Sequence, residues 1–169
     1  MKRFCALLSV ALIFIALGLD SDGLMKIGDL GGDMTYYFFV SGADAEIALP
    51  AAPKEGNFFE VVSHGGGAEV RCGISDAKRV KRNLKNVRGE AVSFKGTRED
   101  AEKLKRFLRV KIKSYEEFED IYTYYGYTAD LGNGIGTSAL NIDGMKINIQ
   151  VAYRGGRITV GTPVILGGY

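Results

Sequence analysis

The sequence predicts an α+β domain, an antiparallel sheet with two main helices on one face, preceded by an N-terminal signal or anchor segment. Three observations predict it. Residues 4–19 are an unbroken apolar run between Met1-Lys2-Arg3 and Asp20-Ser21-Asp22-Gly23, the charged, hydrophobic and polar regions of an export signal. Residues 76–87 and 98–108 carry apolar stripes at helical spacing. The C-terminal third alternates apolar and polar residues with a period of two, as strands with one buried and one wet face do.

At about 1.5 Å per residue, the run 4–19 is close to the shortest helix that spans a bilayer. Ala16-Leu17-Gly18 puts small residues three and one before a cut, so cleavage would start the mature chain at Leu19. Uncleaved, the same run anchors the protein to a membrane. Either outcome places the remainder outside the cytoplasm, secreted or anchored. The expected organisation is 1–18 signal peptide or anchor, 19–33 flexible lead-in, and 34–169 a single domain. A mean hydropathy of zero, 46% apolar and 25% charged residues suit a globular fold with its own core. With Cys5 in the signal, Cys72 has no partner for an internal disulfide. It reads as a small buried residue, with a reactive thiol the alternative.

The elements follow in order. Residues 34–40, rich in aromatic and β-branched side chains, predict a strand, and 41–56, with Pro50 and Pro53 among alanines, a loop. Residues 58–63 and 68–74 flank His64-Gly65-Gly66-Gly67 as a hairpin. Ser75 is the expected N-cap of helix 76–87, whose stripe is Ala77, Val80, Leu84 and Val87. Thr97 is the expected cap of helix 98–108, with Glu99 and Asp100 in the first turn and a stripe of Ala101, Leu104, Phe107 and Leu108. The two helices resemble one another, either as a relic of a repeat or as two ordinary basic amphipathic segments. A short strand, 91–94, lies between them. Residues 110–113 lead into a strand at 120–127, a glycine-rich loop spans 130–141, and a strand at 145–153 turns at Arg154-Gly155-Gly156-Arg157 into 158–160.

Motifs for chemistry are weak. Ser75-Asp76-Ala77-Lys78 fits Ser-x-x-Lys without its companion signals, and the cap explains Ser75 better. Gly132-Asn133-Gly134-Ile135-Gly136 lacks the spacing of a phosphate-binding loop. His64 is the sole histidine, so no zinc-type site and no cofactor are expected. Glu116, Glu117, Glu119 and Asp120 read as a solvated acidic face, with a paired-carboxylate site the alternative. Tyr122, Tyr124, Tyr125 and Tyr127 read as sheet packing or, alternatively, an aromatic platform.

Charge is the most site-like signal. With Lys2 and Arg3 set aside from 22 basic and 20 acidic residues, the remainder is neutral, yet residues 71–113 hold 15 basic against 5 acidic residues. The first helix concentrates Lys78, Arg79, Lys81, Arg82, Lys85 and Arg88, with no acid after Asp76. Like charges at this spacing repel, so they call for neutralisation by the chain's own acids, by a partner, or by salt. Outside the cytoplasm the expected partners are anionic lipid, wall polymer or an envelope protein, and not nucleic acid. The expected function is thus an exported, non-enzymatic cell-envelope module. The alternative is an extracytoplasmic hydrolase with a site near the 130–141 loop.

The Tyr124-Tyr125-Gly126-Tyr127 strand, Asn148-Ile149-Gln150-Val151-Ala152-Tyr153, and the ending Thr159-Val160-Gly161-Thr162-Pro163-Val164-Ile165-Leu166-Gly167-Gly168-Tyr169 resemble the secreted YwmB-type family of spore-forming Gram-positive bacteria. The resemblance covers residues 90–169. It implies a TATA-box-binding-protein-like fold, a curved antiparallel sheet with helices laid on one face. It carries over no catalytic or binding residues, and that fold name does not imply DNA binding.

Overall fold

The structure is a computed structural model. It describes Leu24, Ile27 and residues 33–41, 58–64, 66–131 and 139–166. The export segment, its cleavage site, most of the 41–56 loop, residues 132–138 and the last three residues lie outside the described residues.

The chain forms an α+β fold. Its strands are β1 (Met34–Ser41), β2 (Phe59–His64), β3 (Gly67–Gly73), β4 (Val87–Lys95), β5 (Lys111–Phe118), β6 (Ile121–Tyr127), β7 (Leu140–Ile142), β8 (Met145–Ile147), β9 (Ile149–Arg154) and β10 (Arg157–Thr162). Helix α1 (Ile74–Asn83) joins β3 to β4, and α2 (Arg98–Phe107) joins β4 to β5. Eight strands make one sheet in the order β2-β3-β1-β4-β10-β9-β6-β5, every neighbouring pair antiparallel, while β7 and β8 pair separately.

One register row shows how alternation builds the core. Phe59, Cys72, Tyr36, Val92, Val160, Val151, Tyr124 and Tyr115 stand side by side across all eight strands. The six central members are fully buried, and Tyr115 at the edge is exposed. Both helices cover this face. Ala77 and Val80 of α1 and Ala101 and Leu104 of α2 join its core cluster, and the Tyr124 hydroxyl donates to the Ala101 carbonyl at 3.3 Å. Leu24 and Ile27, within the expected lead-in, are buried in the same cluster.

Helix α2 starts as its sequence requires. Thr97 Oγ1 accepts from the Asp100 N–H at 3.2 Å, and the Asp100 carboxylate accepts from the Thr97 N–H at 3.0 Å, a reciprocal capping box. The Thr97 backbone bond, with its hydroxyl, holds the Asp100 carboxyl below the usual range. That favourable charge is in place above ordinary carboxylate pKa values and is lost as pH falls through the depressed one. Helix α1 departs from expectation. Its N-cap is Gly73, without a side-chain bond, and Ser75 sits inside the first turn, because β3 runs directly into the helix. It ends at Asn83. Leu84 is extended and Asn86 takes a φ of 54°, a left-handed conformation asparagine tolerates. Val87, though buried, therefore belongs to β4.

Four further corrections apply. Phe107, expected on the buried stripe of α2, is 57% exposed, because the helix ends there at the rim of its contact with the sheet. The short strand expected at 91–94 runs nine residues. Residues 111–118 are a full strand, β5, at the sheet edge. Its charges and a register irregularity between Ile112 and Ser114 blunt that edge. The strand expected at 145–153 is broken at Asn148. The Asn148 amide accepts from the Thr128 N–H at 2.9 Å and donates to the Thr128 carbonyl at 2.7 Å, imitating a strand partner while β8 turns away to pair with β7. The hairpin after β9 forms as expected, with Gly155 and Gly156 at φ 52° and 78°.

The helix-free face, expected to be wet, is buried at its centre, where Ala91, Ser93, Thr123, Gln150 and Ala152 lie. The chain after β10 folds back over it. Ile165 N donates to Gln150 Oε1 at 2.9 Å, and the Ile165 side chain sits where a Cβ on Gly161 would meet it at 2.7 Å. Leu166 packs on Gly89 in the same way. A side chain at Gly161 would displace this segment, so the small residue belongs to the packing.

Candidate functional site

The six basic residues of the expected binding face do not stay together. Lys78, Arg79, Lys81 and Arg82 lie on α1, Lys85 follows it, and Arg88 is in β4. Arg79 donates to Asp76 Oδ1 from Nε at 3.1 Å and from Nη2 at 2.9 Å. Lys81 turns toward the sheet and reaches Glu90 Oε1 at 2.7 Å, where the carboxylate is fully buried. Arg88 Nε donates to Ser41 Oγ at 3.1 Å. Lys78, Arg82 and Lys85 are exposed. Part of the basic run is thus consumed inside the fold.

The acidic cluster also separates. Glu117 projects to the helix side and accepts from Arg98 at 2.6 Å, Glu116 occupies the next position on β5, where strand alternation sends it to the other face, and Glu119 and Asp120 form the turn. No two of these carboxylates face each other across a shared space as an acid and base pair must. In the 130–141 loop, Asp130 takes two bonds from Arg109 at 2.6 and 2.8 Å, and residues 132–138 lie outside the described residues. Burial, then the nearby Asp76 charge, pushes the Cys72 thiol up to about 12, so it stays protonated at neutral pH and acts as a core residue. Among the described residues no three His, Cys, Asp or Glu side chains gather into a metal site. Tyr122 and Tyr124 face α2: Tyr122 donates to Glu102 at 2.7 Å under the Arg98 guanidinium. They serve packing there.

A concavity lies elsewhere, on the helix-free face of the sheet. It is a groove of about 340 Å³ crossing β3, β1, β4, β10 and β9. Its floor is Ala91, Ser93, Ala152 and Thr159, side chains short enough to leave a depression. Tyr37, Phe39 and Ile165 rise from it as apolar walls.

The two ends of the groove differ in charge. Arg154 and Arg157 line one end, directly opposite one another across the β9–β10 hairpin. Like charges so placed repel. Arg157 is held by one hydroxyl: its Nε and Nη2 donate to Ser93 Oγ at 3.3 and 3.2 Å, and Thr159 Oγ1 donates to the same oxygen at 3.2 Å. The described residues offer Arg157 no carboxylate. At the other end Glu69 is buried in β3, and Arg71 bonds both it and Glu60 while lying 5.8 Å from the Tyr37 ring centre. Glu69 is the acid that lines this end, and it is paired.

A second cleft, about 440 Å³, opens on the helix side between Met34, Phe94, Leu104 and Phe107. Its rim carries Lys95, Asp100 and Lys103, the last two in contact at 3.5 Å.

Sequence reasoning passed over the groove because its residues come from five strands and most are small. One signal was present. Arg154-Gly155-Gly156-Arg157 as a two-residue hairpin turn puts its arginines face to face. Comparison with family models, curated proteins and solved structures finds no match.

Proposed function

We propose that this chain is an exported, non-enzymatic binding module of the cell envelope. Its partner is an anionic lipid or wall-polymer surface or an envelope protein, and it meets that partner through the helix-free face of the sheet. Export rests on the apolar run 4–19 and its flanking charges. The YwmB-type resemblance and its curved sheet belong to the same reading. The observation that carries the binding site is the arginine end of the groove, where Arg157 is fixed by Ser93 beside Arg154. A guanidinium held in place by a neutral hydroxyl keeps its charge available to an incoming anion. Among the described residues nothing favours the hydrolase alternative, since Glu116 and Glu117 lie on opposite faces of β5.

The test has two readouts. A reporter active only after export, fused after Tyr169, becomes active, and silence with the protein in the cytosol overturns export. Binding to vesicles containing anionic lipid falls as salt rises from about 0.05 to 0.5 M. Arg157→Gln weakens it about fivefold, the effect of one basic side chain near such a surface. Arg79→Gln leaves binding nearly unchanged, because that guanidinium already serves Asp76. Binding indifferent to both salt and Arg157→Gln overturns the site.

A further inference from the structure

We propose that β5, one edge of the eight-stranded sheet, is a self-association edge. A second copy of this chain pairs with it antiparallel about a two-fold axis at Ser114, which sets Lys111 against the partner's Glu116 and Ile112 against the partner's Tyr115. The surface is distinct from the groove, which spans β3 to β9 and stops short of β5. β5 pairs with β6 on one side and, among the described residues, with no strand on the other. Seven of its eight residues are exposed, Ile112 at 42% and Tyr115 at 64% among them. An open edge with apolar side chains is a template for another strand, and charges on it deter indiscriminate pairing. On β5 those charges fall into two blocks. Lys111 and Lys113 stand in its first half, Glu116 and Glu117 in its second. Glu117 is taken by Arg98, while Lys111, Lys113 and Glu116 have no ion pair among the described residues. An antiparallel partner with the same two blocks sets unlike charges opposite each other. β2, at the other edge, offers one acid, already bonded to Arg71, and no lysine or arginine. The β5 of a second copy is therefore the counterpart this chain carries.

The register irregularity selects the alignment. A two-fold axis normal to the sheet keeps every side chain on its own face, so only residues of one face oppose each other across it. In a regular strand, residues an odd number apart point to opposite faces. The shift between Ile112 and Ser114 breaks that rule. Lys111 and Glu116 stand opposite Tyr127 and Thr123 of β6, on the helix-free face, while Ile112 and Tyr115 stand opposite Gly126 and Tyr124, on the helix side. With Ser114 on the axis and Lys113 as the extra residue, Lys111 meets Glu116 and Ile112 meets Tyr115, each pair twice. Moving the axis to Tyr115 would set Lys111 against Phe118 and Ile112 against Glu117, losing both matches. The helices leave room. α2 lies over β6, where Tyr122 and Tyr124 bond Glu102 and Ala101. β6 and its copy stand three strand spacings apart, roughly 14 Å at about 4.8 Å each, wider than a helix of about 10–12 Å. The same symmetry leaves both helix-free faces on one side of the joined sheet, so both arginine ends meet one surface together.

A contact of about six residues a side, against roughly twenty or more in a standard interface, makes a weak, reversible dimer. Sedimentation of the protein recovered from cells expressing the full chain, loaded at about 10–500 µM, is expected to show a monomer–dimer equilibrium. Lys111→Glu alone and Glu116→Lys alone are each expected to weaken it about tenfold or more, since symmetry sets two like-charged pairs opposite each other in either variant. An equal mixture of the two variants is expected to dimerise within about threefold of wild type, because every mixed pair again opposes a lysine to a glutamate. That recovery also shows that both variants are folded, as exposed substitutions at these positions should be. A wild type that stays monomeric throughout the range overturns the proposal. So does a dimer that either variant leaves unchanged, and so does a mixture no more associated than its two components alone.

Discussion

Lys81→Met is expected to destabilise the fold by about 3–5 kcal/mol, as removal of one member of a buried ion pair does. Lys81 reaches Glu90 at 2.7 Å, and Glu90 is inaccessible to solvent. The carboxylate sits on the helix side of β4, between Phe38 of β1 and the buried Thr162 of β10. Methionine keeps the length of the lysine stem, so packing is nearly retained and the charge is what is lost. The remaining carboxylate stays buried without the cation that met it. The double change Lys81→Met with Glu90→Leu should recover to within about 1 kcal/mol of wild type, since a well-packed apolar pair often replaces a buried ion pair without loss. Urea denaturation of the four proteins gives the cycle. A single-variant loss under about 1 kcal/mol, with no recovery in the double, would mean that α1 does not lie on Glu90.

This pair also marks where linear reading stops. Lys81 and Glu90 are nine residues apart, and both were visible as charges. Their meeting depends on α1 folding back over the strand that follows it. A lysine drawn onto the wet face of a helix by periodicity is then found pointing inward, its stem along the core and its head on an acid. Where the determinants are local, the reading transfers well. Thr97, Asp100 and the stripe through Leu104 specify α2 within a dozen residues, and the Gly155-Gly156 turn specifies the last hairpin. Where an element is defined by its neighbours, it does not. β5 carries charged residues and exposed aromatics along an edge and so lacks the alternation of a half-buried strand. The groove is the extreme case. Its floor residues, Ala91, Ser93, Ala152 and Thr159, have no distinctive chemistry one at a time. They become a site only when register sets them side by side beneath two opposed arginines.

Leu104→Ala is expected to cost about 2–3 kcal/mol, near the lower end of the range for large-to-small core changes. Leu104 is 3% exposed and packs in the main cluster, so the full transfer free energy of the lost methyl groups is at stake. It also borders the helix-side cleft with Met34, Phe94 and Phe107. Truncation would therefore enlarge an existing opening that water enters, and would not leave a sealed void, which holds the cavity contribution down. Phe107 is the internal control. Three residues further along the same helix and lining the same cleft, it is 57% exposed, and Phe107→Ala should cost no more than about 1 kcal/mol. The ratio of the two losses reads the orientation of α2 directly. A larger loss at Phe107 than at Leu104 would mean the helix is rotated about its axis. A loss under about 0.5 kcal/mol at both positions would mean that α2 is not packed on the sheet at all, which would also detach the Tyr124–Ala101 hydrogen bond from the core.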